Sequence, residues 1–582
     1  MKYIKNISIK ILSLLFFFTV FGCGDVIDNV EDLSNYPEEG TFDDLQTTNA
    51  YLAGLYAISL PSWPVNDGNK ADESVGISGP DWLTTNSSNL WEYSQIRRIN
   101  ILLKELPEGD VAEEEKKVII GQAKFLRAFV YFNMVKYYGG VPIITEPQEL
   151  TDSLKVFRNT TAECFDFIIQ DLDDAIAALP DKYTDNNFGK IDKAISLSFK
   201  GRVLLYKASP QFNSSNPYDN SYWTEAYNAN KDAKDFLDAN GYGLLENYTD
   251  VFMTEGHKEN ILSVVYKDPI KTNGRMEDAV RPLSESKNAT GGDQPIWALA
   301  EAYPMLDGRS IDDPTSIYHY DLQSYWENRD PRFYDNLAYN GCVFELSGKT
   351  GRRQYTMTNI ASSVDAFGYV IQGESFSRSG LYCRKGIMES LTSDLVSTND
   401  VDWPEIRYAE VLFNYAETAN ETGKSDEAIQ VLKDIRKRAG IEAGSDGMYG
   451  LKTAMNRDEV REAILQEKYI EMAFEGKRFW DLRRQRMLDR IDGMSKYGIM
   501  AMEVNGHTYD QVSPEDVEKA NNYELLPEDF KYSKVGLIIT SGPTEMSMPE
   551  KYYFFPIPLS NIDTNPNLEQ NIGWGGTFDP EL

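Results

Sequence analysis

Carboxylates are the side chains best supplied for chemistry in this chain, and one group near its C-terminal end has a suggestive spacing. Glu467, Glu471, Glu475 and Arg478 recur at i, i+4, i+8 and i+11, which sets them along one stripe of a helix. Two acids held close together are what acid/base attack on a glycosidic bond requires, so a surface glycoside hydrolase is one function to weigh. The chain has 91 Asp and Glu, however, and such spacing discriminates little among so many. Acids and bases one helical turn apart commonly pair with neighbours, and the structural reading is preferred here. Asp330 and Arg332 likewise fit a turn or an internal ion pair. His257, His319 and His507 are the only histidines and are isolated from one another and from cysteine. Neither a zinc site nor a histidine-dependent triad is expected. No catalytic residue, metal ligand or cofactor is assigned; so many acids could hold calcium, but no EF-hand-like spacing specifies it.

Cysteine chemistry is more informative. Lys2, Lys5 and Lys10 precede an apolar run from Ile11 to Gly22 that stops at Cys23. A spanning helix needs roughly 20 apolar residues, so the run reads as a cleaved leader rather than an anchor. Val20-Phe21-Gly22-Cys23 resembles the bacterial lipobox, in which the thiol is acylated and becomes the new N-terminus; Phe21 is bulkier than that pattern usually carries. Residues 1–22 are therefore read as a signal peptide and Cys23 as the lipidation site, leaving a tethered chain. Asp25, Asp28, Glu31 and Asp32 make residues 23–40 an acidic leader, either an export signal or a plain solvated linker. Cys164 lies in a helical pattern and reads as a buried thiol. Cys342 and Cys383 flank one loop-rich segment and, in an exported protein, could form a disulfide.

The net charge of −33 argues against nucleic acid and against a membrane surface bound by charge. Aromatic residues make up 12% of the chain, with 35 Tyr and nine Trp, a surplus that suits contact with carbohydrate or peptide as well as the packing of long loops.

The elements that must position these residues are mainly helical. Phe165, Ile168, Ile169, Leu172, Ile176 and Leu179 share one face, opened by a Thr160/Glu163 capping box and followed by Pro180. Further helices are expected over Glu113–Tyr138, closed by Gly139-Gly140, and over Ile195–Lys207. Glu405–Thr422 and Asp426–Ala439, joined at Gly423, have the length of one tetratricopeptide repeat. Asn456, with Glu459 three residues on, opens a long helix toward Arg484. Residues 242–402 read as long loops and small hairpins, with a strand at Ile261–Tyr266. No linker rich in Pro, Gly or Ser divides the chain.

Several ordered blocks resemble the SusD/RagB family of surface nutrient-binding lipoproteins of Bacteroidetes. They are Gln122 to Ala128 with Tyr138 to Pro142; Arg329-Asp330-Pro331-Arg332; Arg407 to Leu412 with Tyr415-Ala416-Glu417; Ile435 to Gly440; Glu467 to Arg484; and Phe555-Pro556-Ile557-Pro558 with Asn565 to Leu568 and Gln570-Asn571. Pro556 and Pro558 fix an extended segment that packs at an edge or across a surface.

The resemblance implies a mainly α fold built on tetratricopeptide-like helix pairs with long loops and small β-hairpins. It implies a region 41–320 and a region 321–582 forming one unit, and a position on the outer membrane facing the exterior. It further implies a non-catalytic role: capture of an oligosaccharide, or less often a peptide, for a partner TonB-dependent transporter of the SusC type. The membrane would be engaged through the lipid anchor only. Ligand is expected on loops opposite the repeat scaffold, where Trp63, Asp81, Trp82, Asn86, Trp297, Tyr325 and Trp326 are the candidate contacts. Trp91, Tyr93 and Trp480 are read as structural.

Overall fold

The computed structural model describes residues 40–582, apart from 76–89, 150, 152, 185–186, 288, 359–364, 368–369, 372–373, 376, 507–524 and 538–544. Cys23 and residues 1–39, and the candidates Asp81, Trp82 and Asn86, lie outside the described residues.

Among the described residues, six helices precede the first long loop region: α1 (Leu45–Ser59), α2 (Tyr93–Glu105), α3 (Glu113–Tyr138), α4 (Thr161–Ala178), α5 (Lys193–Ala208) and α6 (Tyr222–Ala239). Side-chain caps start three of them: Asp44 accepts from the Thr47 amide, Asp192 from Ile195, and Thr160 makes the expected capping box with Glu163. Helix α3 ends at Gly139, whose φ of 76° is open to glycine. Helices α3 and α4 pack together, as do α5 and α6. The second pair is close enough that a Cβ on Gly201 would lie 2.4 Å from Asn230 Oδ1. Phe125, Phe129 and Phe132 of α3 meet Phe199 of α5 in one aromatic core. Cys164 is buried there, as expected.

The second helical group is α10 (Tyr408–Glu421), α11 (Ser425–Arg438), α12 (Arg457–Glu471) and α13 (Arg478–Arg484), with Asn456 and Glu459 forming the expected capping box. Two expectations are corrected. Residues 405–407 belong to a strand rather than to the start of α10. Pro404 disfavours helix in the residue before it, and Trp403–Arg407 pairs antiparallel with Asn260–Val264. The expected long helix to Arg484 is broken after Glu471, because Phe474 and Gly476 both take positive φ, 62° and 66°. Beyond the break Glu475 remains buried and shares Arg407 with Glu471.

Between the two groups come α7 (Gly274–Val280), α8 (Trp297–Ala302), α9 (Pro331–Asn336) and short two-stranded pairs. These include β1 (Ser74–Val75) with β3 (Gln294–Pro295), β2 (Asn260–Val264) with β10 (Trp403–Arg407), and β4 (Leu337–Ala338) with β9 (Tyr382–Cys383). β5 (Cys342–Val343) pairs with β6 (Arg353–Gln354), β7 (Val370–Ile371) with β8 (Glu374–Ser375), and β11 (Tyr497–Glu503) with β12 (Phe530–Gly536). The fold is mainly α, and every described sheet has two strands.

The expected Cys342–Cys383 disulfide is corrected: both thiols are buried and unbonded. Neighbouring side chains on a strand point to opposite faces. Tyr382 shares a small apolar cluster with Cys342, so Cys383 faces the other way, with its Sγ toward the Lys385 carbonyl.

The tail returns to the first helices, packing Phe555 and Ile557 in the core. Arg483 donates to the carbonyls of Lys136 (2.7 Å), Tyr137 (3.0 Å) and Tyr552 (2.9 Å), a cation at the C-terminal end of α3 that also holds the tail. Burial without a carboxylate partner lowers its pKa to about 9.

Candidate functional site

The aromatic candidates of the middle region converge on one cluster. Trp297 on α8 and Tyr325 meet edge to face with centroids 5.0 Å apart, and Tyr325 makes the same contact with Trp326 and with Tyr532 of β12 at 5.2 Å. Trp326 lies parallel to Tyr339 at 6.1 Å and 11°. This convergence corrects two assignments. Trp297 and Tyr325 are 1% and 0% exposed, so their rings form a floor rather than a contact surface. Trp326 is 9% exposed, the most open of the three, with half-buried Tyr320, Tyr334 and Tyr339 around the cluster. These three tyrosines were not singled out in the sequence; the only signal is their density between residues 318 and 339.

The Arg-Asp-Pro-Arg block holds the floor in place. Arg329 is buried and donates to the carbonyls of Ala300 (2.6 Å), Tyr303 (2.7 Å) and Tyr325 (2.7 Å), tying α8 to the segment that carries Trp326. Arg332 donates to Asp330 (2.7 Å), Glu467 (2.6 Å) and Glu471 (3.0 Å), joining the same segment to α12. Burial alone would raise the Glu471 pKa; Arg438, Arg407 and Arg332 overcome that and hold its carboxyl ionised. The glutamates that resembled a catalytic pair are thus enclosed, ion-paired framework.

Val75, the last described residue before Asp81, Trp82 and Asn86, adjoins the strand that leads into α8. Val75 pairs with Gln294 two residues before the turn into α8. Asp293, at φ 43°, accepts from the Asn66 amide at 2.6 Å and from Ser74 Oγ at 3.1 Å. Burial pushes its pKa up to about 7 and that of neighbouring Glu73 up to about 8, while it lowers Lys496, which donates to the Asn69 and Ser74 carbonyls, to about 7.

Trp63 does not join the aromatic floor. It packs on Trp403 with centroids 4.9 Å apart, donates to the Val401 carbonyl, and lines a cavity of about 460 Å³ between α3, α5, α10 and the broken end of α12. Trp480, read as structural, is buried yet shares that wall. Among the described residues no three His, Cys, Asp or Glu converge where a metal ion could sit.

A SusD-like protein of Formosa agariphila is 24% identical over 541 residues, 88% of this chain and 96% of that relative. The crystal structure of a SusD-like protein from Bacteroides fragilis superposes with a TM-score of 0.72 at 23% identity, covering 92% of this chain and 98% of the other. A structure described as a laminarin binding SusD-like protein gives a TM-score of 0.59 at 20% identity, covering 91% and 99%. A family model described as starch-binding associating with outer membrane matches residues 64–205. The model described as the SusD family matches residues 258–574, which include the aromatic floor and the arginine and glutamate frame beneath it. By that match over more than half of its length, this chain belongs to the SusD family.

Proposed function

We propose that this protein captures an oligomeric glycan by binding, without catalysis, on the face formed by loop 76–89 and the Trp326 rim. Cys23 carries the lipid that tethers it to the outer face of the outer membrane, and a TonB-dependent transporter of the SusC type receives the ligand. Regions 41–320 and 321–582 work as one unit in this reading. The observation that carries it is the aromatic floor: flat rings with half-buried tyrosines around them. Sugar rings stack on aromatic faces while amides and carboxylates read their hydroxyls. Glu467, Glu471 and Glu475 are buried and ion-paired, which disfavours them as an acid pair for hydrolysis. The relatives described as starch-binding and laminarin binding favour glycan over peptide.

The test is native gel electrophoresis through a panel of soluble glycans that includes laminarin. Retardation by at least one glycan, lost in Trp82→Ala, is the expected result. Absence of retardation by any glycan would favour a peptide ligand, and sustained release of reducing sugar would overturn the non-catalytic reading.

A further inference from the structure

The cavity behind Trp63 is separate from the aromatic floor, and its wall has an ionic imbalance. Its carboxylates are engaged: Glu405 and Glu410 by Arg202, each at 2.6 Å, Asp481 by Lys468 at 3.0 Å, and Glu475 by Lys385 and Arg407, each at 2.7 Å. Lys477 sits within 3.4 Å of Glu405 and 3.3 Å of Glu410, and Asp67 pairs with Lys70. Lys136, on the cavity face of α3, has no ion pair among the described residues. Its ammonium stands 4.1 Å over the Trp480 ring.

Three more polar groups of the wall lack a hydrogen-bond partner among the described residues: the side-chain amides of Asn133 and Asn414 and the Tyr206 hydroxyl. They come from α3, α10 and α5, rigid elements that fix their relative positions. These groups are open to solvent in the cavity, where water completes them until a ligand takes its place. The volume falls within the range of about 300–1,000 Å³ found for small-molecule sites, and exposed Ser62 lies on its rim.

We propose that this cavity is a second binding site, for a small sugar acid: a ring of hydroxyls read by Asn133, Asn414 and Tyr206, with one carboxylate paired to Lys136. Glu405 is the strongest influence of opposite charge on Lys136 but makes no ion pair with it, and a ligand carboxylate would supply one. The cavity lining shares no residue with the aromatic floor.

The probes are D-glucuronate and D-glucose, titrated calorimetrically against the protein near pH 6. Lys136, whose pKa burial lowers to about 7, carries its charge there. Glucuronate is expected to bind at least tenfold more tightly than glucose. Lys136→Met should cost at least tenfold in glucuronate affinity with an unchanged melting temperature, and Asn133→Ala should weaken it as well. Trp82→Ala should leave it intact, so failure of the loop-face reading and failure of this one are distinguishable. Equal binding of the two sugars, no glucuronate binding, undiminished binding in Lys136→Met, or loss of binding in Trp82→Ala would each overturn the proposal.

Discussion

Arg407 and Glu475 face each other side by side, Nε to Oε2 at 2.9 Å and Nη2 to Oε1 at 2.7 Å, with both side chains closed to solvent. The pair joins the end of β10 to the turn that breaks α12 from α13. Arg407 also reaches Glu259 and Glu471 at 2.8 Å, so one guanidinium ties three parts of the chain together.

Removing it strands buried acids. Arg407→Met is expected to cost about 3–5 kcal/mol, the penalty of an uncompensated buried charge. Arg407→Lys should not restore stability, since an ammonium cannot make the side-by-side pair. Urea unfolding midpoints check both, and a Lys variant of wild-type stability would contradict the geometry.

Glu73 predicts a pH effect. Its pKa rises from the ordinary 4.5 to about 8 on folding, chiefly through burial. The folded chain therefore holds a proton that the unfolded chain releases between those values. The stability Glu73 contributes is full below pH 4.5 and is lost as pH climbs toward 8. Glu73→Gln keeps an acceptor for the Phe474 amide, 2.8 Å away in the parent. It should melt with the parent at low pH and above it at pH 8, by a margin on the order of a few kcal/mol. Thermal scans at the two pH values decide.

Gly476→Ala is expected to lose about 1–2 kcal/mol from the left-handed backbone alone. The new Cβ would also stand 2.9 Å from Pro64 Cβ, pressing on the loop that carries Trp63. Chemical denaturation measures the loss.

Trp297→Ala should destabilise the fold by about 3–5 kcal/mol, as truncating a large core ring does. Trp326→Ala should weaken glycan retention with a smaller loss. Equal unfolding midpoints for the two variants would reject the division between floor and rim.

Both Cys342 and Cys383 should remain thiols. Dithiothreitol is expected to leave the melting temperature unchanged, and a fall on reduction would restore the disulfide.

Much of the helical frame was legible because it rests on local rules. Thr160 with Glu163 and Asn456 with Glu459 announce their caps, and Gly139 announces its stop. The errors have non-local causes. Nothing near Glu405 reveals that Asn260–Val264 will recruit it into a strand, and Phe474 gives no warning of a positive φ imposed to bring Glu475 to Arg407. Trp297 and Tyr325 looked like contact residues because a loop-rich stretch conceals its own core. That core becomes visible only when β12, some 200 residues on, supplies Tyr532. Trp63 lay in a readable position, but Lys136, Asn133 and Tyr206 sit inside ordinary helix patterns where unmade hydrogen bonds leave no trace.

The clamp at the end of α3 has a kinetic consequence. The Phe555 amide donates to the Tyr137 carbonyl at 2.8 Å, and Asn571 Nδ2 donates to Tyr138 at 3.1 Å, across more than 400 residues of chain. Contacts so distant must wait for the closure of a very large loop, which makes folding slow. The end of α3 is thus completed only when Phe555 and Asn571 arrive, so the helical frame and the tail segment assemble together.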